Sequence, residues 1–252
     1  MLILIGIGVG AGALGSVLGV GGGIIMVPAL TFMGLPPAHV ASTSLFAVTS
    51  TSVSSTIEYS RQKRIDYKLG IHLAALAIPG AIIGAFVSDY FTEASFKLAF
   101  GILLVLVGLY ILYKNSILKE AAEAPKKQPM HVMSAVFGAT FGAGLMSSAF
   151  GVGGGIIFVP IMLLVLKMTM QRAAPTSQLI LMITSIAGVL THSFLGHTDY
   201  VQALALSAGA FVGAQVGARI SRSAKDVLLQ RLLGIVLIGV AIKFILDWFS
   251  SR

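Results

Sequence analysis

The sequence predicts an all-α integral membrane protein made of two inverted-topology repeats of about five helical segments each. Three observations predict this fold: the composition, an internal repeat and the placement of charge. Of the 252 residues, 56% are hydrophobic and 10% charged, whereas soluble domains carry about 25% charged residues. The apolar runs lack a strand period, and a segment in lipid must satisfy its own backbone groups, so the runs are interpreted as helices.

Ten apolar or weakly polar runs follow one another along the chain. Most reach the length of about 17–25 residues that a helix needs to cross the hydrocarbon core. The second and seventh runs are only about half as long as a crossing and are predicted to be broken half-helices. Because no basic residue precedes the first run, we interpret it as a retained helix rather than a signal peptide. The runs are 2–18, 24–34, 41–57, 69–88, 96–113, 131–149, 156–166, 174–193, 200–218 and 228–249.

A shift of 132 or 133 positions aligns the two halves of the chain. It places Gly19–Gly23 on Gly151–Gly155, and "ASTS" at 41–44 on "APTS" at 174–177. Several independent landmarks keep this register, which is typical of a true internal repeat. The other landmarks are Pro28 with Pro160, Asp66 with Asp199, Gly80 with Gly213, Gly84 with Gly217, and Gly101 with Gly234.

The basic residues set the predicted orientation. Most of the seventeen lie in four short connections between runs, and the positive-inside rule places these connections in the cytoplasm and both termini outside. Asp66 then lies in a cytoplasmic connection and its counterpart Asp199 in an external one, so the second copy is inverted. The clustered residues are Arg61, Lys63, Arg64, Lys68, Lys114, Lys119, Lys126, Lys127, Lys167, Arg172, Arg219, Arg222 and Lys225.

This arrangement gives the predicted organisation of the chain. Residues 1–114 form the first transmembrane repeat, 115–130 a cytoplasmic linker, and 131–252 the second repeat. The same placement accounts for the net charge of +8 without a nucleic-acid partner, and the lipid bilayer is the expected surrounding. Inverted repeats with short, glycine-interrupted segments at matching positions indicate a secondary transporter.

Each half-helix follows a glycine-rich run, although glycine inside a helix costs about 1 kcal/mol relative to alanine. A helix start leaves about four N–H groups unpaired and carries partial positive charge, which an anion can satisfy. We therefore predict two facing cradles for a small anion. The alternative is that these glycines only permit close helix packing, the role we give to Gly80, Gly84, Gly213 and Gly217. The cradle residues are Gly21, Gly22 and Gly23, with Gly153, Gly154 and Gly155.

Hydroxyl side chains are dense in the third run, where residues 42–56 contain ten. Most are expected to bond to backbone carbonyls. The anion contacts we predict are those that both repeats retain, together with one neighbouring amide. Because Pro175 fits the first turn of a helix, these residues are also expected to cap a second pair of helix starts. They are Thr43 and Ser44, next to Ser42, their counterparts Thr176 and Ser177, and Gln178.

Three ionisable residues in or near the spans are candidate proton-coupling groups: Glu58, His72 and His192. The alternative for Glu58 and His72 is that they are solvated near the cytoplasmic surface, whereas His192 is expected near the outer end of its span. Asp66 and Asp199 precede runs and are expected to be N-caps. The chain contains no cysteine and neither an HExxH nor a GxSxG motif, so we expect no catalytic residues, no metal and no cofactor.

The paired motifs GVGGGIIMVP at 19–28 and GVGGGIIFVP at 151–160, each followed by ASTS or APTS, resemble the TauE/SafE family of sulfite-exporter-like permeases. The resemblance covers nearly the whole chain. It implies a multi-pass transporter of the prokaryotic cytoplasmic membrane. Its small anionic substrate would contain sulfur: sulfite, sulfoacetate or another organosulfonate. An anion channel with the same lining is the alternative, and a homodimer is among the oligomeric states left open.

Overall fold

The computed structural model describes residues 1–115, 130–224 and 226–250, and all regular structure in these ranges is helical. Most of the predicted linker, residues 116–129, lies outside the described residues. Each of the ten predicted runs corresponds to one helix. The helices are α1 Leu2–Leu18, α2 Gly23–Phe32, α3 Pro37–Arg61, α4 Tyr67–Val87, α5 Glu93–Asn115, α6 Met130–Phe150, α7 Gly155–Pro160, α8 Met170–Phe194, α9 Tyr200–Ser221 and α10 Asp226–Ser250.

Two of these helices carry short extensions of different geometry. A 3₁₀ turn at Ser88–Tyr90 continues α4, and a π-helical turn at Ile161–Val165 continues α7. Among the described residues, three helical segments are long and apolar enough to cross a membrane: Tyr67–Tyr90, Met170–Phe194 and Tyr200–Ser221. These segments agree with the predicted all-α membrane fold.

Helix α3 is longer than predicted at both ends, because it spans Pro37–Arg61 rather than residues 41–57. Pro36 has an extended backbone, and Pro37 occupies the first position of the helix, where a missing N–H costs nothing.

The predicted N-caps of α4 and α9 are confirmed. Asp66 accepts a hydrogen bond from the N–H of Leu69, and Asp199 accepts one from the N–H of Gln202.

Glycine lets two pairs of helices pack backbone against backbone. A Cβ atom built on Gly213 of α9 would lie 2.0 Å from the carbonyl oxygen of Val9 on α1, and one built on Gly80 of α4 would lie 2.2 Å from that of Phe141 on α6. Gly84 and Gly217 make the same kind of contact, which agrees with the packing role expected for these four glycines.

The hydroxyl-rich α3 lies between helices and bonds mostly to backbone. Thr51 and Ser55 donate to carbonyls one turn earlier on α3, while Ser50 and Ser54 donate to the carbonyls of Ser207 and Phe211 on α9. Helix α3 also packs on α8, and α8 on α4. The polar face of α3 is therefore buried against protein, and most of its hydroxyls are structural, as expected.

The close α1–α9 contact should make Gly213→Ala destabilising. The added methyl group would overlap the Val9 carbonyl, and overpacking of this kind costs about 1–3 kcal/mol. We expect a lower thermal unfolding temperature for the purified protein in detergent.

Gly10→Ala on α1 is the matched control, since a Cβ there meets nothing within 4 Å. It should leave the unfolding temperature unchanged or raise it, because alanine favours the helix. Equal effects of the two substitutions would contradict this packing model.

Candidate functional site

The two glycine runs pack directly against each other in the protein interior. A Cβ atom on Gly23 would lie 2.5 Å from Cα of Val152, and one on Gly155 would lie 2.6 Å from Cα of Val20. Each run therefore contacts the valine of the other run, backbone against backbone. Any larger residue at Gly23 or Gly155 would separate the two runs.

Helices α2 and α7 begin at these runs. Their N-cap residues, Gly22 and Gly154, have left-handed backbones with φ of 83° and 68°. Neither N-terminus is capped by a described side chain, and the residues around both are buried. The prediction that each half-helix begins at a buried glycine run is confirmed. Binding of an anion there stays a prediction.

An apolar pair that the sequence analysis missed lies in front of both runs. A Cβ on Gly21 would be 2.8 Å from Cγ1 of Val48 and 3.0 Å from Cδ1 of Leu181, and a Cβ on Gly153 would meet the same two side chains. Val48 and Leu181 occupy equivalent positions in the two repeats, 133 residues apart. In this conformation they fill the space beside Gly21 and Gly153.

In the second repeat, the predicted anion contacts bond to the protein itself. The Ser177 hydroxyl donates to the carbonyl of Gly19 at 2.7 Å, and the Gln178 amide donates to that of Gly15 at 2.9 Å. The Thr176 hydroxyl accepts from the N–H of Asp66 at 3.0 Å. These side chains attach α8 to the end of α1, to the first glycine run and to the start of α4.

In the first repeat, the equivalent hydroxyls are fully buried, and among the described residues they have no hydrogen-bond partner. These hydroxyl atoms are Oγ1 of Thr43 and Oγ of Ser44. In the second repeat, Oε1 of Gln178 is likewise buried without a hydrogen-bond partner among the described residues. A buried hydroxyl without a partner costs about 1–3 kcal/mol. A ligand whose oxygen atoms accept hydrogen bonds from Thr43 and Ser44 would remove this free-energy cost. The equivalent hydroxyls, those of Thr176 and Ser177, already have hydrogen-bond partners in the protein.

The prediction that these residues cap helix starts is wrong. Thr43 and Ser44 lie in the second turn of α3, and Thr176 and Ser177 lie inside α8, which begins at Met170. Proline at position 175 is tolerated within α8 because the carbonyl that it cannot bond, that of Gln171, accepts from Nε of Arg64 at 2.9 Å.

Arg64 is the centre of a second feature that sequence reasoning missed, here called the Arg64 network. Its guanidinium also donates to the side chains of Gln62, Gln171 and Ser221, and it lies over the ring of Tyr59 at 5.1 Å. The Tyr59 hydroxyl in turn donates to the carbonyl of Ser16. The network joins the end of α3, the start of α8 and the end of α9.

The three candidate proton-coupling residues are not brought together. Glu58 accepts from Gln62 and lies 3.7 Å from Nε of Arg219, at the α9 end that the Arg64 network also contacts. His72 is bonded to the carbonyl of Lys68 on its own helix. His192 is fully buried near the opposite end of α9, where its ring contacts His197 and the carbonyl of Ser148. Their roles in coupling stay predictions.

Matched serine substitutions should separate the bonded from the unbonded hydroxyl. Ser177→Ala removes a hydroxyl that satisfies Gly19, so we expect a loss of about 1 kcal/mol in stability. Ser44→Ala removes an unpartnered hydroxyl and should leave stability unchanged or increased. Thermal unfolding in detergent measures both, and a larger loss for Ser44→Ala would show that this hydroxyl is satisfied.

Comparison with known proteins supports the resemblance noted above. The model of the sulfite exporter TauE/SafE family matches residues 4–244. Among the similar proteins is the probable membrane transporter protein YunE of Bacillus subtilis, 32% identical over 99% of both chains. A probable membrane transporter protein of Methanocaldococcus jannaschii is 27% identical over 93% of this chain and 92% of its own. YfcA of Escherichia coli, also a probable membrane transporter protein, is 25% identical over 94% of this chain and 86% of its own.

No solved structure matches the chain. The match to the family model spans nearly all of the chain and includes both glycine runs. The relatives at this level of identity are named as membrane transporters, in agreement with the long apolar helices. The protein is therefore a membrane protein and belongs to the sulfite exporter TauE/SafE family.

Proposed function

We propose that this protein is a secondary transporter that moves a small sulfur-containing anion across a prokaryotic cytoplasmic membrane by alternating access. The substrate class is sulfite, sulfoacetate or another organosulfonate. The observation that carries the proposal is that two buried helices, α2 and α7, begin at the glycine runs without a side-chain cap. The name of the family adds sulfur to this backbone argument.

The helix packing supports the inverted repeat that such a carrier needs. Helix α1 packs on α9, and their sequence equivalents, α6 and α4, pack on each other. When each helix is exchanged for its equivalent in the other repeat, the packed pair α3–α9 becomes the packed pair α8–α4. The packed pairs α3–α8 and α5–α10 each join a helix to its own equivalent. This pattern of contacts is expected when a two-fold axis relates the two repeats. The cytoplasmic placement of the basic connections would orient this axis in the membrane plane, with both termini outside.

The proposed anion site consists of backbone N–H groups and hydroxyls. The start of a helix supplies a partial positive charge that favours an anion, and the unpartnered Thr43 and Ser44 supply further donors. Val48 and Leu181 lie beside the same glycines, so the apolar pair has to move before an anion can contact both runs. This requirement favours a conformational carrier over a permanently open pore.

The two ends of the bundle supply the closures that alternating access requires. The Arg64 network joins α3, α8 and α9 at the predicted cytoplasmic end. At the predicted outer end, His192 and His197 bridge α8 to the loop before α9, and Ser42 bonds Thr198 of that loop at 2.6 Å. Opening one end at a time would expose the glycine runs to one side of the membrane.

The alternative function is an anion channel with the same lining. Reconstitution into liposomes distinguishes the two, with radiolabelled sulfoacetate as the probe. Trans-stimulated uptake that saturates would identify a carrier. Large single-channel currents in planar bilayers would identify a channel and exclude alternating access.

Removing the unpartnered hydroxyls should weaken anion binding. Thr43→Val and Ser44→Ala are each expected to weaken sulfoacetate binding by about 1–3 kcal/mol, if the ligand satisfies these groups. Binding is measured by isothermal calorimetry on purified protein. Thr51→Val is the matched control, since Thr51 is buried on the same helix but bonds the carbonyl of Ala47. Unchanged dissociation constants for both variants would return the hydroxyls to a structural role.

Blocking a glycine run should abolish binding altogether. In Gly154→Leu the side chain would meet Phe158 and Ser147 at a left-handed backbone position, and Gly22→Leu is its counterpart in the first repeat. Both variants should still insert into the membrane. Gly138→Leu, on an open part of α6, is the control that should bind normally. Normal affinity in both blocked variants would remove the glycine runs from the anion site.

A further inference from the structure

A chain of hydrogen bonds leads from an exposed carboxylate into the protein beside the second glycine run. Oδ1 of Asp89 lies 2.9 Å from Nε2 of His197, whose Nδ1 lies 3.2 Å from Nδ1 of His192. Nε2 of His192 lies 3.0 Å from the carbonyl oxygen of Ser148. His192 is 0% exposed, the His197 side chain 13% and that of Asp89 44%, so the chain runs inward from the surface.

The hydrogen-bond partners determine which ring nitrogens of His192 and His197 carry a hydrogen atom. The Ser148 carbonyl can only accept, so Nε2 of His192 carries hydrogen and its Nδ1 is an acceptor in the neutral ring. Nδ1 of His197 must then donate to it, while Nε2 of His197 must donate to the Asp89 carboxylate. Both nitrogens of His197 are protonated in this arrangement, so the two rings together hold one proton beyond their neutral forms.

Loss or gain of one proton breaks the chain. Without the extra proton, a lone pair of His197 faces either the carboxylate or the lone pair of His192. With a second extra proton, two N–H groups on two imidazolium rings face each other across the 3.2 Å contact. The arrangement is therefore stable for one protonation state of the two rings.

We propose that Asp89, His197 and His192, here called the histidine relay, bind the proton that drives transport. This inference rests on the proposed carrier function. The bound proton holds the outer end closed, and it passes from Nδ1 of His197 to Nδ1 of His192 without any change of heavy-atom position. Release of the proton loosens the loop that contains His197 and opens that end.

The equivalent positions in the first repeat show what is special about the relay. His192 corresponds to Tyr59, which donates to the carbonyl of Ser16, the counterpart of Ser148. His197 corresponds to Arg64, which lies over the Tyr59 ring. The scaffold is the same at both ends of the bundle. Tyrosine and arginine keep their protons at neutral pH, whereas an imidazole ring can be neutral or carry a second proton.

The surroundings of the relay connect it to the anion site. His39, at the start of α3, is a third ring, with its centroid 6.2 Å from that of His197. Asp199, two residues beyond His197, caps α9. Thr198, between them, bonds Ser42, the residue before Thr43. Movement of this loop therefore displaces the α3 segment that carries the unpartnered hydroxyls.

The first test is spectroscopic and needs no substrate. The chain contains five histidines, so ¹⁵N-histidine NMR of the protein in nanodiscs can be assigned with single His→Gln variants. We expect one ring with two protonated nitrogens at neutral pH, missing in His197→Gln. Asp89→Asn, which removes the charged acceptor of Nε2, should reduce the signal of that ring. A neutral His197 at neutral pH in the wild-type protein would overturn the relay.

The second test measures coupling in proteoliposomes with labelled sulfoacetate. In the wild-type protein, with the membrane potential clamped at zero, a one-unit pH gradient of one polarity should raise accumulation roughly tenfold if one proton moves per anion. His192→Gln and Asp89→Asn should lose this accumulation, and any exchange of internal for external sulfoacetate that they retain should not respond to the pH gradient. Tyr59→Phe, at the matched position of the other repeat, should keep the stimulation by the gradient.

The outcomes separate the two proposals. If the wild-type protein exchanges no sulfoacetate or other sulfonate, the proposed function fails, and the NMR titration alone decides whether the relay binds a proton. Exchange that the pH gradient does not drive in the wild-type protein would overturn the coupling. Gradient-driven accumulation that persists in His192→Gln would overturn the relay as its route.

Discussion

The contact between the two glycine runs is the constraint on which the rest of the structure depends. Three glycines of each run have positive φ, and the runs approach so closely that a Cβ at Gly23 or Gly155 would overlap the opposite backbone. The same contact fixes the long helices beside it. A Cβ on Gly19 would lie 2.5 Å from Cα of Ala174 on α8, and one on Gly151 would lie 2.5 Å from Cα of Ala41 on α3. The starts of α2 and α7 are buried because nothing larger than glycine fits between these elements.

The two repeats share this scaffold but differ in chemistry at equivalent positions. Ser177 is bonded to the first glycine run, whereas Ser44, its counterpart, is buried without a partner among the described residues. Tyr59 and His192 bond matching carbonyls at opposite ends of the bundle. Two halves with identical chemistry would give both ends the same response to protons. The difference is that an imidazole pair able to exchange a proton lies at one end of the proposed carrier, whereas the phenol and guanidinium at the other end keep theirs.

The sequence predicted features that depend on local chemistry or on the repeat. The ten helices, the caps at Asp66 and Asp199, and the start of each half-helix at a glycine run follow from patterns within a few residues. It did not predict which hydroxyls are satisfied, because Ser177 finds Gly19 across 158 positions. The position of Pro175 was misinterpreted for the same reason, since the carbonyl that it leaves unpaired is satisfied by the distant Arg64. Asp89 was overlooked as a partner of His197 because the two lie in separate connections.

A site of backbone N–H groups and hydroxyls suits an anion carrier better than a lysine or arginine would. A transported ion has to bind strongly enough to enter and weakly enough to leave. A helix start offers only about half an elementary charge, and screening does not weaken it at a buried end. The apolar side chains of Val48 and Leu181 lie beside these glycines, so no fixed positive side chain faces them there. In the proposed cycle, the anion is therefore released without neutralisation of a positively charged side chain. The proton bound by the histidine relay determines the direction of transport in that cycle.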